Sequence, residues 1–408
     1  MNTLGRKLTL TTFGESHGSA IGGVLDGFPA GVRIDLNFIQ SELDKRKPGG
    51  SKFATARNEG DRVEILSGVF DGLSTGTPIG FIIRNENQKS GDYENLRELF
   101  RPGHADYAYY RKYGIRDHRG GGRSSARETA VRVAGGAIAQ ILLGEFGVSV
   151  QSGVASVGEI SCGERLNFDL AARSEIFSLG NEEAMKEEIL KAKQEHDSVG
   201  ASVVTVIHGA PAGLGEGLYY KFDAAIPAAM RGINGVKAVE IGEGVSASKM
   251  RGRENNDSMG AKYAHVNSGG SARGTNLGAD NPTLDGADEQ SNLNGGKFDE
   301  FKSACRDSNL DEKFGFTSNH AGGTLGGMTS GQEVVIKTHF KPTPSIFLPQ
   351  PTQNVRGEDV ICELRGRHDP CIGVRGSVVA TAMARLVTAD MLLLNLSTNL
   401  ANLKKIYD

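Results

Sequence analysis

The chain has 408 residues, 38% of them hydrophobic, enough to bury a sizeable core, and by length alone it would make roughly two or three domains. Its 46 Lys and Arg against 49 Asp and Glu leave a formal charge of -3, which argues against a dedicated nucleic-acid binder, so any cationic function has to be local. Four scattered cysteines without a CxxC pair argue against a zinc site or a disulfide framework, and no metal is expected.

No charged leader precedes an apolar run and no apolar stretch approaches a membrane span, which predicts a soluble, cytoplasmic protein without a membrane partner. Residues 7–13, KLTLTTF, alternate as a half-buried strand, and GESHG at 14–18 breaks it with a turn presenting Ser16 and His17. Over 35–46, Leu36, Ile39 and Leu43 share one helical face; Lys45, Arg46 and Lys47 close that helix before Pro48-Gly49-Gly50 stops it.

The stretch HRGGGRSSARET at 118–129 concentrates three arginines, three glycines and two serines. Ser125 and Glu128 have the Ser-x-x-Glu spacing of a capping box, and Val131, Ala134, Ile138, Ile141, Leu142 and Phe146 follow as the stripe of a packed helix. A glycine loop entering a helix N-terminus offers unpaired N–H groups to an anion, and Arg123 and Arg127 sharpen that preference; an ordinary capped basic turn reads equally well from the loop alone.

Residues 182–195 read as a charged surface helix and ASVVTVIHG at 201–209 as a buried strand. From 251 to 312 the composition turns to Asn, Gly, Ser and Asp with little apolar periodicity, the pattern of a surface insertion. The chain recovers at SNHAGGTLGGMTSG, continues through a strand EVVIKTHF, turns at KPTPS, and after RGRHDPCIGVRGS enters a strongly apolar helix from about Val378. Composition and periodicity alone support a mixed α/β class.

Most isolated histidines are packed or surface residues, which is the reading for His196, His265 and His339; His208 and His320 stay undecided. His17, His104 and His368 differ in sitting on Gly- or Pro-punctuated turns beside patterned elements. Two other functional classes fit less well. A dinucleotide oxidoreductase would need a G-x-G-x-x-G opening a βαβ unit, and a polyanion-binding module would show a basic stripe with interleaved aromatics, whereas this chain has no Trp and 6% aromatics. Walker-A and HExxH patterns are absent from the sequence.

Taken together, GESHG at 14–18, RPGHAD at 101–106, RGGGRSSARET at 119–129, SNHAGG at 318–323 and RHDPC at 367–371 closely resemble the chorismate synthase family, in its order and roughly its spacing. The resemblance runs from Gly5 to about Leu394 apart from 251–312. It departs from the usual family residues at Ala201, Gly217, Gly235 and Lys52.

The resemblance implies a single-domain α/β layered sandwich over 1–408, with mainly antiparallel sheets inside and helices outside, assembled as a homotetramer. It implies conversion of 5-enolpyruvylshikimate 3-phosphate to chorismate by 1,4-anti elimination of phosphate with catalytic reduced FMN. NADPH enters only as an external reductant, used either by the chain itself or by a separate flavin reductase, with the bacterial-like architecture favouring the second. Carried over residue by residue, Arg46, Lys52, Arg101, Arg127 and Arg132 look like the substrate-binding set. Arg123, Ser124, Ser125, Asn234, Gly235, Gly326, Lys341, Pro342, Thr343, Pro344, Ser345 and Arg367 look like the flavin-facing set. His17 and His104 look like the two acids, His17 as imidazolium beside the leaving phosphate. Asp369 with Ser16 and Ser125 resembles the relay that takes the proton back from the flavin. Guanidinium forks suit this substrate because it carries a phosphate and two carboxylates.

Overall fold

Helices and antiparallel strands alternate along the chain in a computed structural model that describes residues 1–47, 53, 60–86, 94–260, 315–364 and 369–407. One sheet has the order β1-β2-β3-β7-β4, built from β1 (Thr3–Leu4), β2 (Thr9–Gly14), β3 (Ala20–Asp26), β4 (Val63–Ile65) and β7 (Ile79–Arg84). The other has the order β11-β14-β10-β8-β9, from β8 (Ser149–Val157), β9 (Ile160–Ser161), β10 (Ala201–His208), β11 (Val236–Ile241) and β14 (Val334–Phe340). Two-stranded hairpins β5–β6 (Val69–Phe70, Leu73–Ser74), β12–β13 (Thr324–Leu325, Met328–Thr329) and β15–β16 (Gln350–Gln353, Asp359–Cys362) complete the strands among the described residues. The helices are α1 (Leu36–Arg46), α2 (Asp106–Tyr113), α3 (Thr129–Gly144), α4 (Phe168–Arg173), α5 (Glu182–Gln194), α6 (Phe222–Arg231), α7 (Gly252–Asn255), α8 (Ile372–Leu394) and α9 (Leu400–Tyr407).

The α/β class and the antiparallel pairing agree with expectation. The two longest helices nevertheless lie between the sheets. Helix α3 packs on β2, β3 and β7 on one side and on α8 on the other, and α8 packs on β8, β10 and β14. Their composition dictates this position, since α8 buries every residue except Ile372, Arg375 and Leu394, and a helix apolar all round must be covered all round. Small residues set the spacing. A Cβ on Gly136 of α3 would stand 2.6 Å from Cα of Ala382, and a Cβ on Gly376 would meet the Phe340 ring at 2.6 Å.

Helix α8 is long and apolar enough to cross a bilayer, contrary to the sequence expectation that no such run exists, with a mean hydropathy of 1.6 over its most apolar window, but 94% of that window is buried inside the protein. Its polar exceptions are paired. Arg385 donates to Glu42 of α1, and Asp390 accepts the backbone N–H groups of Arg6, Lys7 and Leu8 at 2.7–3.1 Å and the Tyr220 hydroxyl at 2.6 Å. Asp390 thereby straps the N-terminal segment across the end of the helix layer.

The helix begins at Ile372, six residues before the expected start, because packing of Gly373 on Ala201 and of Gly376 on Phe340 outweighs the poor helix propensity of glycine. The expected capping box also differs. Ser125 caps a 3-10 turn over Ala126–Glu128, accepting the Arg127 N–H at 3.4 Å, while Glu128 turns away to Arg132. Most of the polar 251–312 segment lies outside the described residues.

Candidate active site

The three glycines of the 118–129 loop take left-handed backbone angles, with φ of +61° at Gly120, +85° at Gly121 and +53° at Gly122. Any other L-residue would be strained there. Each glycine also lies against a different polar side chain. A Cβ would stand 2.3 Å from Cε1 of His17 at position 120, 2.9 Å from Cε1 of His104 at 121, and 2.7 Å from Oε2 of Glu15 at 122. The loop is therefore a thin backbone sheet laid over both histidines. Behind it, Ser16 Oγ and His17 Nδ1 are 3.0 Å apart, and both residues are buried.

Helix α1 delivers Arg46 to the start of α3, where its Nη1 donates to Thr129 Oγ1 at 3.2 Å and to the Ala126 carbonyl at 3.3 Å. Its Nη2 donates to Asp61 Oδ2 at 2.7 Å, and the other oxygen of Asp61 accepts from Arg127. Arg127 Nε also donates to Asn85 Oδ1 at 3.0 Å. One buried carboxylate thus fixes two guanidiniums. Burial opposes the Asp61 charge, but Arg46 and Arg127 together outweigh it and hold the carboxyl below its ordinary value.

The RPGHAD turn runs into α2 and folds on itself around Asp106. The Asp106 carboxylate accepts from Arg101 Nε at 2.7 Å, Arg101 Nη2 at 2.8 Å and the Arg101 backbone N–H at 3.1 Å. His104 Nδ1 lies 3.1 Å from both Asp106 Oδ1 and Arg101 Nη2. Arg116 Nη1 approaches the same Asp106 Oδ1 at 3.5 Å. Burial pushes the Asp106 carboxyl up, yet its bonds to Arg101 and His104 drive it far below the usual carboxylate range. Burial lowers His104, with Asp106 opposing and the Arg101 and Lys341 charges adding to the fall.

Arg123 is aimed by backbone oxygens, donating to the Thr12 carbonyl at 3.2 Å, the Gly14 carbonyl at 3.3 Å and Thr12 Oγ1 at 2.6 Å. Asn234 Nδ2 donates to the Ser124 carbonyl at 2.7 Å, joining the 120s loop to the turn before β11. The Lys341 N–H donates to the Gly235 carbonyl at 2.9 Å and its Nζ to the Gly103 carbonyl at 2.7 Å. Burial and the neighbouring Lys237 charge lower the Lys341 amine. Asp369 receives Nε and Nη2 of Arg375, each at 2.7 Å.

These groups converge on one cavity of about 930 Å³. Its walls include Arg46, Arg101, His104, Arg123, Ser124, Ser125, Arg127, Arg132, Asn234, Gly235, the 341–345 turn, Asp369 and Arg375. The chain matches the chorismate synthase family over residues 8–281 and 286–393. It is 63% identical to the chorismate synthase of Campylobacter curvus and 60% identical to that of Campylobacter concisus, each over 100% of both chains.

The chain belongs to the chorismate synthase family.

A solved crystal structure of a chorismate synthase, 26% identical, superposes with a TM-score of 0.68 over 99% of this chain and 97% of that one. The chain is therefore a lyase that converts 5-enolpyruvylshikimate 3-phosphate to chorismate, the last step of the shikimate pathway towards the aromatic amino acids, and the chorismate synthase family works with a reduced flavin. The family match breaks only at 282–285, inside the polar segment.

Of the residues that the sequence assigned by resemblance to chorismate synthases, most meet in the cavity. Ser16 and His17 stand one layer behind it, under Gly120. Gly326 turns the β12–β13 hairpin and is not among the cavity-lining residues. Lys52 and Arg367 lie outside the described residues, as do His265 and His368. Arg132 is already committed to Glu128 at 2.5 Å and to the Gly232 carbonyl at 2.8 Å. Four further histidines are structurally occupied. His208 pairs with Glu333 at 2.8 Å, His320 with Glu243 at 2.9 Å and His339 with Glu240 at 2.5 Å, while the His196 ring meets Phe347 edge-on. Sequence reasoning missed Asp61, Arg375 and the part played by Asp106. Asp106 was in view inside RPGHAD, whereas Asp61 and Arg375 carry no local signal.

Proposed function

We propose that the cavity binds 5-enolpyruvylshikimate 3-phosphate together with reduced FMN, and that the convergence of Arg46, Arg101, Arg123, Arg127 and Lys341 on one wall system carries this reading. Cations brought from loops so distant in sequence are costly to gather unless anions neutralise them. The lining also contains unspent polar capacity. Thr343 Oγ1 and Asp369 Oδ1 are buried without a hydrogen-bond partner among the described residues, and Arg46 Nε likewise, a cost of about 1–3 kcal/mol each that a polar ligand offsets. A volume of about 930 Å³ suits a flavin and a small carbocycle at once. The residues present fit the group.

Arg46, Arg101 and Arg127, with Lys52 and the half-committed Arg132, would hold the phosphate and carboxylates. Arg123, Ser124, Ser125, Asn234, Gly235, the Lys341-Pro342-Thr343-Pro344-Ser345 turn and Arg367 would hold FMN, with Gly326 at most peripheral. Bound reduced FMN supplies the transient electron density that lets phosphate depart without net oxidation. The chain's own residues do the rest. Carboxylate-locked arginines orient the substrate, since Asp61 and Asp106 remove their freedom to follow it. His104 meets the ligands directly and moves a proton at its ring. His17 holds a proton beside Ser16 and reaches the cavity past Gly120, where no side chain intervenes. Asp369 takes a proton at its unpaired Oδ1, while Arg375 keeps the other oxygen occupied.

We further place the chain in the cytoplasm as a single folding unit and a homotetramer, supplied with reduced flavin by a separate NADPH-dependent reductase. Exposed apolar residues such as Leu218, Tyr219 and Val245, at 77%, 85% and 71% exposure, support self-association. The test is anaerobic turnover. Chorismate should form with photoreduced FMN and not with oxidised FMN plus NADPH, and His104→Ala, His17→Ala or Arg101→Ala should each lower phosphate release at least about tenfold. Undiminished turnover in the His104 variant would remove that ring from the chemistry.

A further inference from the structure

We propose that Asp106 is a positioning residue that decides which nitrogen of His104 carries the proton, leaving Nε2 as the atom that works in the cavity. The inference rests on the proposed function above and concerns a residue given no role there beyond holding Arg101.

The geometry poses a choice. His104 Nδ1 lies 3.1 Å from Asp106 Oδ1 and 3.1 Å from Arg101 Nη2. An ionised carboxylate only accepts and a guanidinium only donates, so neutral His104 can satisfy one of these contacts and not the other. If Nδ1 donates to Asp106, Nε2 carries the exchangeable proton in the charged ring and the lone pair in the neutral one, so it can give a proton to a ligand as an acid and take one back. If Nδ1 accepts from Arg101, Nε2 carries hydrogen and is closed to that step. Arg101 has little need of the ring, since its Nε and Nη2 already reach both oxygens of Asp106 and its backbone N–H reaches Oδ2. The carboxylate, by contrast, gains a further donor from Nδ1–H. The first arrangement therefore wins. Nε2 has no hydrogen-bond partner among the described residues, and His104 lines the cavity, so Nε2 is the ring nitrogen left for a ligand.

The surroundings make this control effective. Asp106 is 3% exposed, so its field is weakly screened. The charged groups facing the His104 ring are Asp106 and Arg101 from its own turn and helix and Lys341 beyond β14, with Arg116 Nη1 3.5 Å from the same Asp106 Oδ1. Of these only Asp106 favours the charged ring, and it offsets part of the burial that favours the neutral one. The step is a proton transfer between Nε2 and the ligand: one bond to hydrogen breaks at the donor, one forms at the acceptor, and Nδ1–H stays on Asp106.

The experiment is nitrogen NMR of the histidine rings in the full-length 15N-His protein, with His104 assigned by the signal missing from His104→Ala, alongside pH profiles of anaerobic turnover with photoreduced FMN. Neutral His104 should show a protonated Nδ1 and an unprotonated Nε2; the opposite tautomer overturns the proposal whether or not any variant folds. In Asp106→Asn the turnover limb assigned to His104 should move to lower pH by about one to three units, with a kcat loss of at least about tenfold. Any accompanying rise in KM reports the loosened Arg101 instead. Asp106→Glu, which keeps the charge, should restore the limb. In the His104→Ala background Asp106→Asn should leave the pH profile unmoved. A limb that stays in place in Asp106→Asn, while His104→Ala is impaired, defeats this inference alone; wild-type turnover in His104→Ala defeats the site reading beneath it.

Discussion

Gly120 and His17 touch so closely that a Cβ at position 120 would stand 2.3 Å from the imidazole Cε1 and 2.6 Å from Nδ1. The contact explains a run of three glycines that composition alone leaves unexplained. With the backbone held at φ of +61°, the loop passes between the buried Ser16–His17 pair and the cavity without inserting a side chain.

Gly120→Ala should therefore combine two penalties. A left-handed alanine costs about 1–2 kcal/mol, and the methyl group has to displace the ring of His17. The expected outcome is a melting temperature lower by several degrees and anaerobic turnover reduced at least about tenfold. Thermal unfolding and phosphate release with photoreduced FMN measure both.

Asp61 makes a prediction with a defined pH sign. Replacing it by Ala leaves Arg46 and Arg127 buried without their shared carboxylate, at about 3–5 kcal/mol of unfolding free energy at pH 7. Because those guanidiniums hold the folded carboxyl below its unfolded value, its contribution is fully present above the unfolded value of about 3.9 and is lost as pH falls through the folded one. Urea unfolding of wild type and variant should differ most near neutrality, and the difference should narrow below about pH 4.

The interface of α3 and α8 separates two glycines of one helix. Gly136→Val forces carbon atoms into Ala382, where a Cβ already stands 2.6 Å from Cα, and should cost about 1–3 kcal/mol or more. Gly144→Ala meets nothing within 4 Å at the end of the same helix, and should be neutral or stabilising by up to about 1 kcal/mol. Melting temperatures of the two variants should move in opposite directions or differ by several degrees.

Much of this protein was legible locally because burial has a period. Ile39 and Leu43 announced α1, although Leu36 of the same face is exposed; the stripe after Ser125 announced α3, with Phe146 exposed past its end; and the largely apolar run of β10, interrupted by Ser202 and Thr205, announced a central strand. The cation-bearing loops were equally plain, since Gly and Pro mark turns and arginine beside them marks an anion. Their convergence was a separate matter. Arg46, Arg101, Arg123 and Arg127 share a cavity only because α1, α2 and α3 are brought together around it.

By itself the sequence determined the α/β class, the positions of α1, α3, α5, α8, β2, β10 and β14, and, through its motifs, the family. Only the tertiary structure decided that α3 and α8 lie between the sheets, that Asp61 clamps two arginines, that Asp106 faces His104, and that Arg375 joins Asp369 in the cavity wall. The reason is the range over which each kind of information acts. Periodicity records that a face is covered, through the hydrophobic effect on each residue in turn, but not by what. A counterion is chosen by distance in space, and the partners here are 66 residues apart along the chain for Asp61 and Arg127 and 343 for Glu42 and Arg385.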